Sequence, residues 1–220
     1  MILSQAVEDY VKTIYRLGAE RKGEGVPTKV IADEMGVSSA SVTNMIKRLA
    51  GMGLVRYESY SGALVTKAGR KIALEIIRHH RLLELYLAEV MGYSWDEVHD
   101  EAERLEHHIS EQFEDRIAEL LDHPTHDPHG DPIPSKDGLI PEIASLPLTE
   151  AEEKKELLLN RVKNQDPERL RYLEKLGLIP GVKIRIVGKE PFDGPLTLEI
   201  EGKKQVISHN IASQLYVLIS

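Results

Sequence analysis

Nitrogen and oxygen donors recur at helical spacing in the middle of this chain. His80 and Glu84 stand four residues apart, so a helix carries them on one face. His99, Glu103, Glu106 and His107 fall at i, i+4, i+7 and i+8, and at about 100° per residue they occupy an arc of about 100°. Residues 95–122 contain eleven acids against two basic residues, Arg104 and Arg116. Carboxylates stacked without cations need a metal ion, protons or water to be tolerable. Imidazole and carboxylate donors without sulfur suit Mn2+, Fe2+ or Zn2+, and a carboxylate-rich set favours the harder, six-coordinate ions. Asp9, on the inward side of a first helix beside Tyr10, is a further candidate donor. The plainer alternative is a solvated acidic helix with scattered histidines. His79 and His108 are expected at the surface, and His123 and His126 exposed in a proline-rich loop.

Composition narrows the class. The 220 residues include no cysteine, which excludes disulfides, thiolate zinc sites, iron–sulfur clusters and cysteine nucleophiles, and permits a reducing, cytoplasmic setting. With 41% hydrophobic and 29% charged residues the chain reads as soluble and globular, long enough for one large domain or two to three small ones. No apolar stretch approaches the roughly 20 residues of a membrane helix, and Met1-Ile2-Leu3-Ser4 runs into acids rather than into a secretion signal. The net charge of −8 argues at first against nucleic acid, yet it is polarised: residues 1–70 carry +3 and 71–220 carry −11.

The elements that must position the donors follow from periodicity. Apolar residues at three- and four-residue steps predict a helix from Ser4, a plausible N-cap, to Leu17, ended by Glu20-Arg21-Lys22-Gly23-Glu24-Gly25. A short helix spans Thr28 to Met35, Gly36-Val37-Ser38 turns the chain, and a third helix spans Ser39 to Ala50. Two β-type runs, 54–57 and 63–66, flank the turn Glu58-Ser59-Tyr60-Ser61-Gly62. A long helix follows over about 68–91. Ser94 with Glu97 forms a capping box opening another helix over about 95–121. Residues 123–147, with six prolines and two glycines, read as a loop. Thr149 with Glu152 predicts a charged helix to about Lys163. Asp166-Pro167 opens one more, ending at Gly177. After Pro180, alternating apolar residues broken by glycine and proline predict short strands of an SH3-like β-barrel. The fold class is therefore mainly α with small β, in three domains: 1–70, 71–145 and 146–220.

Helix, glycine turn, helix and two-stranded wing within 28–66 is the layout of a winged helix-turn-helix. Val42, Ile46 and Leu49 face inward, leaving Ser38, Ser39, Ala40, Ser41, Thr43, Asn44 and Lys47 to enter a major groove about 12 Å wide. Thr28 at the start of the second helix joins this face, and Arg48, Arg56 and Lys67 are placed for phosphates. Asn44 to adenine is one possible pairing. The competing reading makes Ser38 and Ser39 a helix cap and Asn44 and Lys47 a solvated face.

The runs Glu8-Asp9-Tyr10, Arg81-Leu82-Leu83-Glu84, 98–107 (Val-His-Asp-Glu-Ala-Glu-Arg-Leu-Glu-His) and 129–134 (His-Gly-Asp-Pro-Ile-Pro) resemble the diphtheria-toxin-repressor (DtxR/MntR) family of metalloregulators, along nearly the whole chain. That resemblance implies a metal-activated, homodimeric, cytoplasmic repressor. It would have an N-terminal winged helix, a helical metal-binding and dimerisation domain, and a C-terminal SH3-like (FeoA-like) domain, acting on a double-stranded, palindromic DNA operator of metal-transport genes. It implies a primary metal site of Asp9, His80, Glu103, Glu106 and His107. Aspartate at 9 and glutamate at 103 look like the manganese-sensing branch, where the iron-sensing branch has methionine and cysteine, so Mn2+ is the expected ion and Fe2+ the alternative. Glu84, His129 and Asp166 match a further site, Asp127 stands where some relatives have a cysteine, and His99 matches an ancillary ligand of the iron-sensing branch. Lys12 departs from the small manganese regulators, which carry an acid there for a second ion. Two other classes compete: a metal-dependent hydrolase, against which no nucleophile or general base stands apart from the ligands, and a metal-free transcription factor with an acidic partner-binding helix.

Overall fold

The computed structural model describes residues 3–21, 24–58, 61–141 and 143–219. Met1-Ile2, Lys22-Gly23 and Ser59-Tyr60, which entered the readings of the N-terminus and of two turns, lie outside the described residues. The chain divides into two compact units: Met1–His79 with Glu106–Ile109 and Pro134–Leu139, and His80–Leu105 with Ser110–Ile133 and Ile140–Ser220.

In the first unit, α1 (Gln5–Glu20) buries Val7, Tyr10, Val11 and Ile14. Ser4 sits at its N-cap in extended backbone but makes no side-chain capping bond. α2 (Thr28–Met35) ends at Gly36, whose φ of +64° is the left-handed conformation that glycine adopts without steric cost. α3 (Ser39–Gly51) is capped by Ser38, whose Oγ accepts from Ser41 N at 3.2 Å. β1 (Val55–Glu58) and β2 (Gly62–Val65) pair antiparallel with Arg56 opposite Leu64. Val7, Val11 and Ile14 of α1 share one core with Ile31, Val42, Ile46 and Leu49, so α1 holds α2 and α3 in place. α4 (Lys67–Glu89) starts in this unit.

The second unit contains the rest of α4, then α5 (Val98–Leu105) and α6 (Glu111–Leu120). Its antiparallel sheet is built from β3 (Leu146–Pro147), β4 (Glu156–Val162), β5 (Lys183–Lys189), β6 (Leu196–Ile200), β7 (Lys203–Ile207) and β8 (Leu215–Ile219), in the order β3-β8-β4-β5-β6-β7. Two short helices, α7 (Pro167–Lys175) and α8 (His209–Ala212), join its strands. Leu157, Leu159, Val162, Leu170, Leu198 and Val217 are among the side chains of its core.

Two expected helices are corrected. The run 95–121 is broken: Ser94 Oγ does donate to Glu97 Oε2 at 2.7 Å, but this closes a turn, and α5 begins only at Val98. Ser110 then starts α6 afresh, accepting from Phe113 N at 3.2 Å with Glu111 and Glu114 in the following turn, a start signal embedded in the periodic pattern. The charged helix expected over 149–163 is a turn followed by β4. Lys154 takes a φ of +63°, which a helix excludes, and Leu157, Leu159 and Val162 are buried in a strand paired on both sides by β5 and β8. Sequence reasoning also missed β3, β8 and α8. His79 is buried rather than exposed, its Nδ1 3.1 Å from Glu106 O, and His126 is half-buried beside Thr125 Oγ1; His108 and His123 are exposed.

Candidate metal centres and nucleic-acid interface

Among the described residues, three groups of side chains that could hold a metal ion form. In the first unit, α1 presents Glu8, Asp9 and Lys12 on one face, because three- and four-residue steps return to the same side of a helix. The segment 106–109 presents Glu106 and His107 to it. His107 Nε2 lies 2.7 Å from Asp9 Oδ1 and 3.2 Å from Glu106 Oε1, and its Nδ1 lies 2.7 Å from Glu8 Oε2. Nε2 is buried and, although this close to two carboxylate oxygens, makes no well-aligned hydrogen bond among the described residues. Burial works against protonating His107, but the carboxylates of Asp9, Glu106 and Glu8 outweigh it and push its pKa up to about 10. Lys12 Nζ donates to Glu106 Oε1 at 2.5 Å.

In the second unit, α4 supplies His80 and Glu84, α5 supplies His99 and Glu103, and the proline-rich loop supplies Asp127 and His129. Glu84 Oε1 lies 2.9 Å from His80 Nε2 and 3.2 Å from His99 Nδ1, and those two nitrogens are 3.2 Å apart. Glu103 Oε1 stands 4.0 Å from His80 Nδ1 and 3.9 Å from His99 Nε2. Burial disfavours the Glu84 carboxylate, but the His80 charge and the facing rings of His129, His80 and His99 hold it well below the usual carboxylate range.

The third group is Glu84, Asp127 and His129, all buried, with ligand atoms within 4.8 Å of one another. His129 Nε2 donates to Trp95 O at 2.7 Å. A carbonyl only accepts, so this bond places a proton on Nε2, while Nδ1 faces Glu84 Oε2, 3.8 Å away; burial works against protonating the ring, but the Glu84 carboxylate outweighs it and raises its pKa. Asp127 Oδ1 accepts from His129 N and Asp131 N, each at 2.9 Å, while Oδ2 stands 3.7 Å from Arg81 Nε. Among the described residues, Asp127 Oδ2 and His129 Nδ1 are buried without a hydrogen-bond partner. Burial, then the Glu84 and Asp131 charges, pushes the Asp127 carboxyl up to about 8. The loop is held on β4: Val162 N donates to His129 O at 2.9 Å, and Gly130, at φ +85°, approaches Asn160 O so closely that a Cβ would stand 1.9 Å from it.

These donors fit a divalent cation: imidazoles, carboxylates and, among the described residues, two buried polar atoms, His129 Nδ1 and Asp127 Oδ2, without a hydrogen-bond partner. The five residues expected as one primary set fall in different units, Asp9, Glu106 and His107 in the first, His80 and Glu103 in the second. Of the expected further site, Glu84, Asp127 and His129 gather and His99 joins Glu84 through Oε1. Asp166 does not join: it N-caps α7, its Oδ1 accepting from Arg169 N at 3.1 Å. Glu8 and Lys12 were not picked out as members of the first group. Glu8 could have been found from its i, i+4 spacing to Lys12 on the face that carries Asp9.

On α3, Ser38, Ser39, Ala40, Ser41, Asn44, Lys47 and Arg48 are exposed, as is Arg56 of β1; Thr28 and Thr43 are half-buried. Ser38 caps the helix and Thr43 Oγ1 donates to Ser39 O at 2.8 Å, so part of this polar face serves the helix itself. Arg56, Lys67 and Arg70 line an open cleft of about 460 Å³ beside the wing.

The domain family described as "Iron dependent repressor, N-terminal DNA binding domain" matches residues 2–63. "Iron dependent repressor, metal binding and dimerisation domain" matches 66–135, and "FeoA domain" matches 146–218. The diphtheria toxin repressor of Corynebacterium efficiens is 32% identical over 200 residues, covering 86% of this chain and 85% of that protein. The chain belongs to the diphtheria-toxin-repressor family. Members of that family are metal-dependent, DNA-binding transcriptional repressors, not enzymes. The iron-dependent repressor IdeR of Mycobacterium tuberculosis is 38% identical over 132 residues, 60% of this chain and 56% of IdeR, so the match spans little more than half of that relative. A solved structure, a manganese-dependent transcriptional repressor in complex with manganese, superposes with a TM-score of 0.86 at 34% identity, covering 97% of this chain and all of the other. Both metals thus occur among relatives in the diphtheria-toxin-repressor family. No described helix is long and apolar enough to cross a membrane.

Proposed function

We propose that the protein is a homodimeric, Mn2+-activated repressor that binds a palindromic double-stranded DNA operator, acts in the cytoplasm and controls metal-transport genes. Residues 1–70 read DNA, 71–145 bind metal and dimerise, and 146–220 form the SH3-like part. The observation that carries the metal dependence is the pair of buried atoms, His129 Nδ1 and Asp127 Oδ2, that lack hydrogen-bond partners among the described residues in the group that Glu84 completes. Hard donors without a sulfur favour Mn2+, as does the likeness to a repressor solved with manganese. Fe2+ is the second reading, favoured by the iron-dependent relatives.

Asp9, Glu106 and His107 hold the activating ion, with His80 and Glu103 assigned to the same set by the family resemblance. Glu84, His99, Asp127 and His129 hold the further one. A bound divalent cation supplies positive charge that offsets converging carboxylates. His107 gives up its Nε2 proton, and Asp9 then keeps α1 against the 106–109 segment. Because α1 shares its core with α2 and α3, fixing α1 fixes the recognition helix α3, and in the dimer the two α3 helices must suit major-groove faces about 34 Å apart. Operator binding reciprocally tightens cation binding.

The test uses a duplex selected from a randomised pool by the Mn2+-loaded protein. Mn2+ should tighten binding to it at least about tenfold over a chelator, and Glu106→Ala should abolish that response while retaining the circular dichroism of the fold. Equal binding with Mn2+ and with chelator refutes the proposal. Anaerobic comparison of Mn2+ and Fe2+ dissociation constants separates the two metals.

A further inference from the structure

The chain has one tryptophan, Trp95, which lies in the connection between α4 and α5. Three contacts involve it. Its main-chain carbonyl accepts from His129 Nε2 at 2.7 Å. Its indole stacks on the His129 ring, with centroids 5.8 Å apart and planes 28° from parallel. The same indole packs against the core of the C-terminal sheet, which includes Leu157, Leu170 and Val217. Its Nε1 is buried without a hydrogen-bond partner among the described residues. A leucine would fill apolar space without the cost of an unpaired N–H, so burial alone does not account for an indole here. Contact with both His129 and the sheet core does. The next residue ties the connection down a second time. Asp96, 8% exposed, accepts from Arg171 Nη1 at 2.6 Å, and Arg171 stands on α7, whose Leu170 and Leu173 enter that same core. Residues 95 and 96 are therefore fixed by the C-terminal module, and the His129 ring is fixed by residue 95.

We propose that Trp95 is a positioning residue for His129, holding the imidazole by its carbonyl and its indole face, and that Arg171 of α7 sustains this hold through Asp96. The proposal rests on the reading of His129 as a cation ligand. A ring nitrogen meets an ion only where the ring's rotation is fixed, and the bond made by the other nitrogen fixes it. Here the bond from Nε2 to Trp95 O turns Nδ1 toward Glu84 Oε2. The main chain of His129 is held separately, by Val162 N, so losing the Trp95 contacts frees the ring and leaves the loop docked. Conversely, a ligated ring draws residue 95 into place. Cation binding and the packing of the α4–α5 connection on the C-terminal module then favour one another, although Arg171 belongs to none of the groups that could hold an ion.

The experiment is a double-mutant cycle on the full chain, read by equilibrium dialysis with Mn2+ alone as the probe and by nuclear magnetic resonance of the His129 ring in the metal-free protein. Trp95→Leu should weaken, by about tenfold, the same ion that His129→Ala weakens, and should leave any other ion unchanged. Combined with His129→Ala it should add nothing. Trp95→Phe, which keeps an aromatic face, should recover most of the affinity. Arg171→Gln, at an exposed side chain, should cost at least about twofold at that ion. In the metal-free wild type the His129 Nε2 proton should exchange slowly with water, and Arg171→Gln should speed that exchange. Additive losses, equal weakening of every bound ion, or a rapidly exchanging Nε2 proton in the wild type overturn the proposal. If Trp95→Leu does not fold, Arg171→Gln decides by both readouts. Weakening by His129→Ala with none by Trp95→Leu sinks the positioning role alone. Unchanged Mn2+ binding by His129→Ala sinks the ligand reading, and the proposal with it.

Discussion

Lys12 Nζ lies 2.5 Å from Glu106 Oε1, and both side chains are buried, at 7% and 0% exposure. The ammonium stands beside the oxygen that Glu106 also turns toward His107, 3.2 Å away. One cation of the Asp9–Glu106–His107 group is therefore built into the chain, which offsets part of the charge that a second metal ion would otherwise neutralise. Removing one partner of a buried pair costs about 3–5 kcal/mol. Lys12→Met should destabilise the metal-free protein by roughly that amount, and Mn2+ should raise the melting temperature of the variant more than that of the wild type. An unchanged metal-free melting temperature would show that the pair contributes nothing.

His107 should release a proton when the cation binds. Its pKa is pushed up to about 10 by Asp9, Glu106 and Glu8 against the opposing effect of burial. A folded-state pKa raised above the free imidazole value stabilises the metal-free fold fully below about pH 6.5, and that stabilisation is lost as pH rises through about 10. A metal needs the lone pair that the proton occupies. Calorimetric Mn2+ titrations in buffers of different ionisation enthalpy should show about one proton released at this group near pH 7, absent in His107→Gln. The same buffer dependence in both proteins would contradict the assignment.

Asp127 gives its own group, with Glu84 and His129, a distinct pH signature. Its carboxyl, raised to about 8 by burial and by Glu84 and Asp131, holds its proton more tightly in the fold than in the unfolded chain. The stabilisation from that proton is complete below about pH 3.9 and is lost as pH rises through about 8. Thermal melts in chelator should fall between pH 5 and 8, and Asp127→Asn should flatten the decline. A variant with the wild-type slope would remove Asp127 from the account.

The recognition face predicts separable effects on DNA. Lys47 is an exposed cation of α3, so Lys47→Ala should weaken binding to all sequences alike and reduce the slope of log affinity against log salt by about one. Asn44 is an exposed amide suited to a base edge, so Asn44→Ala should cost about 1–3 kcal/mol and relax preference at one base pair. Binding titrations over salt and over single-base variants of the selected duplex distinguish the two, and identical behaviour would place both residues outside the groove.

The winged helix was legible because its signals are local: Gly36 at the turn, Ser38 at the cap, and Val42, Ile46 and Leu49 on one side of α3. His80/Glu84 and His99/Glu103 were legible for the same reason, each pair lying on one helix. What spacing on one element could not supply was the meeting of elements. Glu106 and His107 sit beyond the end of α5 and face α1, where Glu8 and Lys12 await them. Asp127 and His129 come from a loop without periodicity, placed by Gly130 against β4. Asp166, an acid before proline, was legible as the start of α7, and it is the cap of that helix rather than a member of the gathered groups. The charged run 150–155 imitated a helix start, whereas pairing with β5 and β8 decides that Leu157 to Val162 form a strand.

The most direct test of the account is anomalous diffraction at the manganese edge from crystals of the full chain grown with Mn2+. The account predicts peaks within bonding distance of His107 Nε2, Asp9 and Glu106, and of His129 Nδ1, Asp127 and Glu84. Ordered protein with no peak at either group, or with manganese held only by other side chains, would contradict it.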